Sequence, residues 1–249
     1  MEVIIAKDYD TLSKQAAILL ASQVISQPGS VLGLATGSTP VGTYKNLVAF
    51  YKEGIVDFSR TTVFNLDEYY GVAPENPCSY RWFMEDNLFK HINIRRENTH
   101  IPNGLARDTD AECREYEEKI RQAGGIDLQL LGIGGNGHIG FNEPGDSFKS
   151  VTHLVELDSG TIAANSRFFA SPDQVPRQAI SMGIRSIMAA RRIILLASGA
   201  GKAKAVYEMV QGPVTPEHPA SVLQLHPQVT VIADQEAASL LPPMAEAQV

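Results

Sequence analysis

Short apolar, β-branched runs recur along this chain, and segments with helical periodicity lie between them. VIIA at 3–6 precedes LSKQAAILLASQVIS at 12–26, whose apolar residues share one helical face. VLGLAT at 31–36 precedes a segment with Pro40 near the first turn of a predicted helix and Gly54 beyond its end. Helices alternating with nearly continuous apolar strands predict a parallel sheet that is covered on both faces.

A chain of 249 residues with no internal repeat and no long linker fits one domain of this kind. We therefore predict an α/β fold: an open, mostly parallel twisted sheet with helices on both faces, Rossmann-like, as a single domain over residues 1–249. Further strands are predicted within 61–70 and starting at residues 126, 191 and 229, and further helices are predicted at 108–125 and 201–212. These elements support the same fold.

The charge pattern argues against several classes of partner. The net charge is −7, and no basic cluster is longer than the pairs Arg95–Arg96 and Arg191–Arg192, so we predict no nucleic-acid partner. Charged residues among the first ten argue against a signal peptide, and the short apolar runs predict no membrane span. Two cysteines without a CxxC motif are typical of a reduced, cytoplasmic protein.

Three loops directly follow predicted strands: ATGSTP at 35–40, NLDEYYG at 65–71 and GIGGNGHIGFNEPG at 132–145. Ligands of open α/β sheets bind beyond the carboxyl ends of the strands, where the strand order reverses. In a parallel sheet all three loops lie at that edge, so we expect them to converge on one ligand.

The first loop joins a strand to a helix through small residues. Gly37, Ser38 and Thr39 would present backbone N–H groups and hydroxyls at a helix N-terminus, which is a ready site for an anion. No Walker A motif is present, because no GK[ST] follows. Serine and threonine are also favoured as ordinary helix caps, so both interpretations stay open at this point.

The second loop places two carboxylates where an apolar strand ends. Alternation from Val63 puts Asp67 on one face of the strand and Glu68 on the other. A carboxylate at the mouth of a sheet is well placed as a general base, and we assign that role to Asp67. Glu68 is interpreted as part of a solvated strand end.

The third loop begins with the dinucleotide-binding pattern GxGxxG, but HIGFNEPGDS follows and cannot start a helix, so we predict no nicotinamide cofactor. Its glycines instead indicate close backbone approach around a small ligand. His138 can take and give a proton near neutral pH, and Glu143 could orient its ring. A structural role for His138 is the alternative. The scattered histidines and the absence of HExxH or CxxC argue against a metal.

Two cations are candidates for holding an anion. Arg167 lies in the polar stretch ANSRFF, and Lys202 lies in the first helical turn after a strand. A lysine there opposes the helix dipole unless an anion lies beside it, although surface solvation is the alternative for both residues. We expect the polar, proline-containing segment near 159–176 to close over the ligand as a lid.

Taken in order, LGLATGSTPVGTYKNL, FNLDEYYG, GIGGNGHIGFNEPG, ANSRFF and LQLHP resemble the glucosamine-6-phosphate deaminase family over almost the whole chain. The resemblance implies conversion of glucosamine 6-phosphate and water to fructose 6-phosphate and ammonia in amino-sugar catabolism, without a metal or an organic cofactor. It implies that Asp67 moves the C2 proton to C1. It also implies that His138 opens the sugar ring, with Glu143 and Asn136 beside it.

The same resemblance assigns phosphate binding to the first loop and the two cations. By motif position, the phosphate ligands would be Gly37, Ser38, Thr39, Arg167 and Lys202. The alternatives are a hydrolase of the 6-phosphogluconolactonase type and a sugar-phosphate sensor domain. The LDEY and FNEP motifs argue against the lactonase, and no segment is left over for the DNA-binding unit of a sensor.

Two departures from the family pattern matter. Some members carry aspartate where this chain has Asn136, and we expect His138 to titrate lower here because one anion is missing. Hexameric, allosterically activated members carry basic residues where this chain has His153 and Val155, and they have a longer C-terminus. We therefore expect a monomer or small homo-oligomer without activation by N-acetylglucosamine 6-phosphate.

Overall fold

A computed structural model describes residues 1–166, 169, 171 and 174–242 of the chain. The strands are β1 (Glu2–Ala6), β2 (Val31–Leu34), β3 (Thr62–Asn65), β4 (Asp67–Tyr69), β5 (Thr99–His100), β6 (Leu128–Gly132), β7 (His153–Glu156), β8 (Gln178–Ser181), β9 (Arg192–Ala197) and β10 (Val229–Asp234). The main sheet has seven strands in the order β1-β10-β9-β6-β2-β3-β5, and every neighbouring pair is parallel. A smaller antiparallel sheet has the order β4-β8-β7.

Several helices begin at a residue whose side chain caps them. Asp8, Ser79 and Asp108 each accept a backbone N–H from the first turn of the helix that follows them. Within the described ranges, no helix combines the length and the apolar character that crossing a membrane requires. The helices are α1 (Tyr9–Ser26), α2 (Val41–Lys52), α3 (Tyr80–Asn87), α4 (Thr109–Gln122), α5 (Ser159–Asn165), α6 (Ile184–Met188) and α7 (Ala203–Gln211).

Two hydrophobic clusters cover the two faces of the main sheet. Helices α1 and α2 pack on one face, where Ile194 of β9 points. Helices α4, α6 and α7 pack on the other face, where Leu195 of the same strand points. Successive strand residues face opposite sides, so apolar residues in both registers give the continuous runs seen in the sequence. The predicted open, mostly parallel α/β sheet is confirmed.

The strand order reverses next to β2. From β2 the chain proceeds to β3 and β5 on one side, and then to β6, β9 and β10 on the other. The carboxyl ends of β2 and β6 therefore meet at the switch point, where ligands bind in this class of sheet. The loops that begin at residues 35 and 132 both start there.

The small sheet was not predicted, and it changes how Asp67 is held. Strand β3 ends at Asn65, and Asp67 begins β4, where it pairs with Ser181 of β8. Leu66 lies between the two strands, and its carbonyl accepts the N–H of Met182. The position of Asp67 therefore follows from pairing in the second sheet and not from alternation along β3.

Candidate active site

A cavity of about 420 Å³ opens at the switch point of the main sheet. All three predicted loops contribute to its wall, so the expectation that they converge is confirmed by the geometry. Of the predicted site residues, those that line the cavity are Gly37, Ser38, Thr39, Asp67, Asn136, His138 and Lys202.

The first loop is braced on both sides. The hydroxyl of Tyr9 accepts the N–H of Gly42 at 2.8 Å and donates to the carbonyl of Thr39 at 3.0 Å. The buried hydroxyl of Tyr44 donates to the carbonyl of Ala35. The loop therefore meets the N-terminus of the twelve-residue helix α2 in a fixed conformation, as an anion site requires. Nothing near Tyr9 in the sequence indicated this role.

Asp67 is buried at the floor of the cavity. Burial raises the pKa of its carboxyl to about 8, and the negative charge of Glu68 adds to the rise, against an opposing hydrogen bond from Thr36. Such a carboxyl is a much stronger proton acceptor than an ordinary aspartate, and its pKa lies near neutral pH, where a general base is most effective. Thr36 belongs to the first loop, so that loop contacts Asp67 as well.

Glu68 corrects an interpretation made from the sequence. It is 3% exposed, not solvated. Its carboxylate accepts the backbone N–H groups of Tyr69 at 2.9 Å, Tyr80 at 2.9 Å and Arg81 at 3.0 Å. The side chain therefore satisfies the N-terminus of α3, a partner that lies too far along the chain to be read from the motif.

His138, Glu143 and Asn136 lie together in one polar cluster. Nδ1 of His138 lies 3.1 Å from Oε2 of Glu143, and Nδ2 of Asn136 donates to that same oxygen at 2.9 Å. Burial by itself would raise the pKa of Glu143. The contact with His138 and the charge of His138, together with hydrogen bonds from Thr161 and Asn136, outweigh the effect of burial and lower the pKa to about 2. Glu143 is thus ionised at neutral pH, and its carboxylate lies beside the imidazole.

Contacts at two positions explain why the third loop contains so many glycines. A Cβ added to Gly134 would lie 2.4 Å from the His138 ring, so the ring rests directly on the backbone. Gly140 has φ +57°, and a Cβ there would lie 3.1 Å from Oγ of Ser181 and 3.7 Å from Oδ2 of Asp67. The loop therefore carries His138 on one side and approaches the base on the other.

Lys202 reaches the cavity from a short turn that precedes α7. That turn is a 3₁₀ turn over Ala200–Lys202, so Lys202 lies in the first helical turn after β9, as predicted, and immediately precedes α7. The buried carboxylate of Asp234 accepts the Ser198 hydroxyl and the N–H of Gly199, which holds the approach to the turn. Arg167 lies outside the described residues.

The predicted lid lies partly outside the described residues as well. Its first part forms α5, and Asp158, Gly160 and Thr161 line the cavity. Sequence reasoning did not single out these three residues, nor Tyr80, which also lines the cavity. Closure of this segment over a ligand stays a prediction.

Among the residues that the structure describes, no three histidine, cysteine, aspartate or glutamate side chains come together as a metal site. A reaction without metal or cofactor stays a prediction.

The fold and the cavity define an α/β protein that can transfer protons on a small anionic ligand at the switch point of its sheet. The chain belongs to the family of glucosamine-6-phosphate isomerases and 6-phosphogluconolactonases, whose model matches residues 8–232.

Similar proteins cover almost the whole chain. The glucosamine-6-phosphate deaminase of Halothermothrix orenii is 62% identical over 97% of this chain and 100% of its own length. That of Thermoanaerobacter pseudethanolicus is 57% identical over 97% and 96%. A solved structure of a monomeric glucosamine-6-phosphate deaminase superposes with a TM-score of 0.95 at 48% identity, over 96% of this chain and 100% of that one.

More distant structures share the fold alone. The 6-phosphogluconolactonase of Leishmania guyanensis superposes with a TM-score of 0.74 at 19% identity, over 97% of this chain and 98% of that one. This likeness extends the architecture to a second activity of the family.

Proposed function

We propose that this protein is a glucosamine-6-phosphate deaminase, which converts glucosamine 6-phosphate and water to fructose 6-phosphate and ammonia. The observation that carries the proposal is the presence of Asp67, the His138–Glu143 pair and an anion-binding loop in one cavity. The relatives at 62% and 57% identity support the choice of substrate. A lactonase needs no base above a C–H bond, so the burial of Asp67 favours the deaminase.

The phosphate is held where three features meet. Gly37, Ser38 and Thr39 precede α2, so their backbone N–H groups and hydroxyls would bind the phosphate at a helix N-terminus, and Lys202, which lines the same cavity, would add a positive charge. Arg167 is proposed as a further ligand from the lid segment. Anchoring the charged end of the substrate leaves its reacting carbons between Asp67 and His138.

His138 opens the sugar ring in this proposal. The imidazole takes the proton of the C1 hydroxyl while the C1–O5 bond breaks, and it returns a proton to O5, which yields the open-chain aldehyde. Glu143 stabilises the imidazolium that forms between these two transfers, and Asn136 holds Glu143 from the other side.

Asp67 then moves one proton between two carbons. Its carboxylate takes the C2 proton, the electron pair forms the C1–C2 double bond, and the ammonium group at C2 gives up a proton that ends on O1, which leaves a neutral amino group on C2. The same carboxyl returns the proton to C1, which leaves an imine at C2. Water adds to that imine, the C2–N bond breaks, and ammonia leaves with the ketose as the second product.

Parallel assays with two substrates test the proposal. Purified protein is incubated with glucosamine 6-phosphate, and ammonia is measured; a second sample is incubated with 6-phosphogluconolactone, and acid release is measured against the spontaneous rate. Ammonia release alone is the expected result. Acid release without ammonia would assign the lactonase activity, and tight binding of the sugar phosphate without turnover would indicate a sensor.

We propose a monomer or small homo-oligomer in a cytoplasmic setting. Support comes from the structural neighbour, which is described as monomeric, and from Cys78 and Cys113, which form no disulfide with each other. Light scattering of the full chain measures the assembly state, and a hexamer would contradict the proposal. Adding N-acetylglucosamine 6-phosphate should leave the rate of ammonia release unchanged at low substrate concentration.

A further inference from the structure

The proposed reaction leaves one buried carboxylate beside the base without a role. Glu68 follows Asp67 on β4, and its oxygens accept the N–H groups of Tyr69, Tyr80 and Arg81. Burial raises the pKa of Glu68 above its ordinary value, against these hydrogen bonds and one from Ser79, which favour the ionised form. In that ionised form, the side chain places a negative charge next to a second carboxyl group.

The contacts of Glu68 tie two walls of the cavity together. Asp67 on β4 and Tyr80 at the start of α3 both line the cavity, and the carboxylate of Glu68 accepts directly from the N–H of Tyr80. The outer side is closed, because a Cβ added to Gly104 would lie 2.3 Å from the carbonyl oxygen of Tyr69 and 3.2 Å from Cγ of Glu68. Glu68 has no room to turn away.

The groups that face Asp67 come from several elements. Among the described residues, Glu68 is the neighbouring carboxylate that opposes ionisation of Asp67, whereas the tyrosines around it are neutral at physiological pH because burial raises their pKa. A like charge nearby makes a carboxyl group more basic. The surrounding groups are Thr36 after β2, Tyr69 on β4, Tyr80 on α3, Tyr116 on α4, His138 on the third loop, Asp158 before α5 and Lys202 before α7.

We propose that Glu68 is a positioning residue for Asp67, which fixes the strand that carries the base and holds a negative charge beside it, so that the base remains strong. The inference rests on the proposed function, because Glu68 acts only through the proton transfer of Asp67. A stronger base takes the weakly acidic C2 proton more readily. The positively charged amino group at C2 of the substrate offsets the two carboxylates when it binds.

The variant Glu68→Gln tests the charge. Glutamine keeps the size of the side chain, and its oxygen can still accept the N–H groups of Tyr69 and Tyr80. Carbon-detected NMR of the Asp67 carboxyl should show its pKa falling by roughly one unit, the scale of a like-charge interaction in a partly screened site. The rising limb of kcat/KM against pH should move down by the same amount, and kcat at the plateau should fall.

The matched control is Glu117→Gln. Glu117 accepts the N–H and the hydroxyl of Thr152 and the hydroxyl of Ser186, so it too is a well-bonded carboxylate, but it does not line the cavity. This control should lose stability without moving the pH limb. If the glutamine variant does not fold, Glu68→Asp takes its place. Glu68→Asp should leave the rising limb of kcat/KM against pH unchanged and lower kcat, because the shorter side chain keeps the negative charge but cannot reach the same N–H groups.

An unchanged pKa of Asp67 in Glu68→Gln would overturn the inference, and so would an equal shift in Glu117→Gln. The NMR titration needs no turnover. A wild-type protein that releases no ammonia would therefore refute the proposed function, while the titration still reports on the pair of carboxyl groups.

Discussion

Replacing Asp67 by asparagine should stabilise the folded protein while it abolishes turnover. The pKa of this carboxyl rises from 3.8 to about 8 on folding, so the folded state binds a proton that the unfolded state has released. For a raised pKa, the contribution to stability is complete below pH 3.8 and is lost as the pH rises towards 8. Asparagine has no such penalty, because it stays neutral in both states.

The size of the effect follows from the pKa difference. Each pH unit between these two values costs the wild type about 1.4 kcal/mol, so the penalty at pH 7 is roughly 4 kcal/mol. Urea unfolding of both proteins at pH 5, 6 and 7 measures it. We expect the advantage of Asp67→Asn in unfolding free energy to grow by about 1.4 kcal/mol per pH unit.

A second aspartate provides the control. The exposed carboxylate of Asp57 accepts the N–H of Ser59. This hydrogen bond and the others that Asp57 accepts lower the pKa of Asp57 below 3.8. Its contribution is lost only as the pH falls below that range, so the stability difference for Asp57→Asn should not change between pH 5 and 7. A difference for Asp67→Asn that is equally independent of pH would refute the reasoning, and near-normal ammonia release by that variant would refute the base assignment.

Three further changes separate the roles of the other residues. Lys202→Ala should raise KM roughly ten- to hundredfold and leave kcat within a few-fold, since it removes a charged phosphate contact; steady-state kinetics decides, and a loss confined to kcat would contradict it. Asn136→Asp should raise the pKa of His138 through the added charge, as an NMR titration would show, and no rise refutes this. Gly134→Ala should lower kcat at least tenfold, because its Cβ would overlap the His138 ring, whereas Gly29→Ala meets nothing within 4 Å and should not.

The main sheet could be predicted because each of its longer strands has a recognisable pattern of apolar residues in the local sequence. Buried parallel strands such as β6 and β9 are apolar in both registers, and the helices between them have periodic faces and caps. The loops at the switch point follow from that topology alone. The sites at their tips were therefore within reach of sequence reasoning.

The strands of the small sheet have no such local sequence pattern. Strands β4, β7 and β8 have only three or four residues each, and they come from distant parts of the chain. Their pairing depends on tertiary contacts, which a window of sequence does not contain. The burial of Glu68 was missed for the same reason, since its partners are backbone N–H groups at the start of α3.

The two carboxylates of the proposed mechanism are distinguished by their surroundings and not by their residue type. Asp67 is buried next to a like charge, and its pKa of about 8 lets it exchange a proton near neutral pH. Glu143 is also buried, but His138, Thr161 and Asn136 hold its pKa at about 2, so it keeps its charge throughout the cycle. Environments that separate the pKa values of two carboxyl groups assign one to proton transfer and the other to electrostatic support. We therefore propose that Asp67 is the group that moves the carbon-bound proton, and that Glu143 acts through the imidazole of His138.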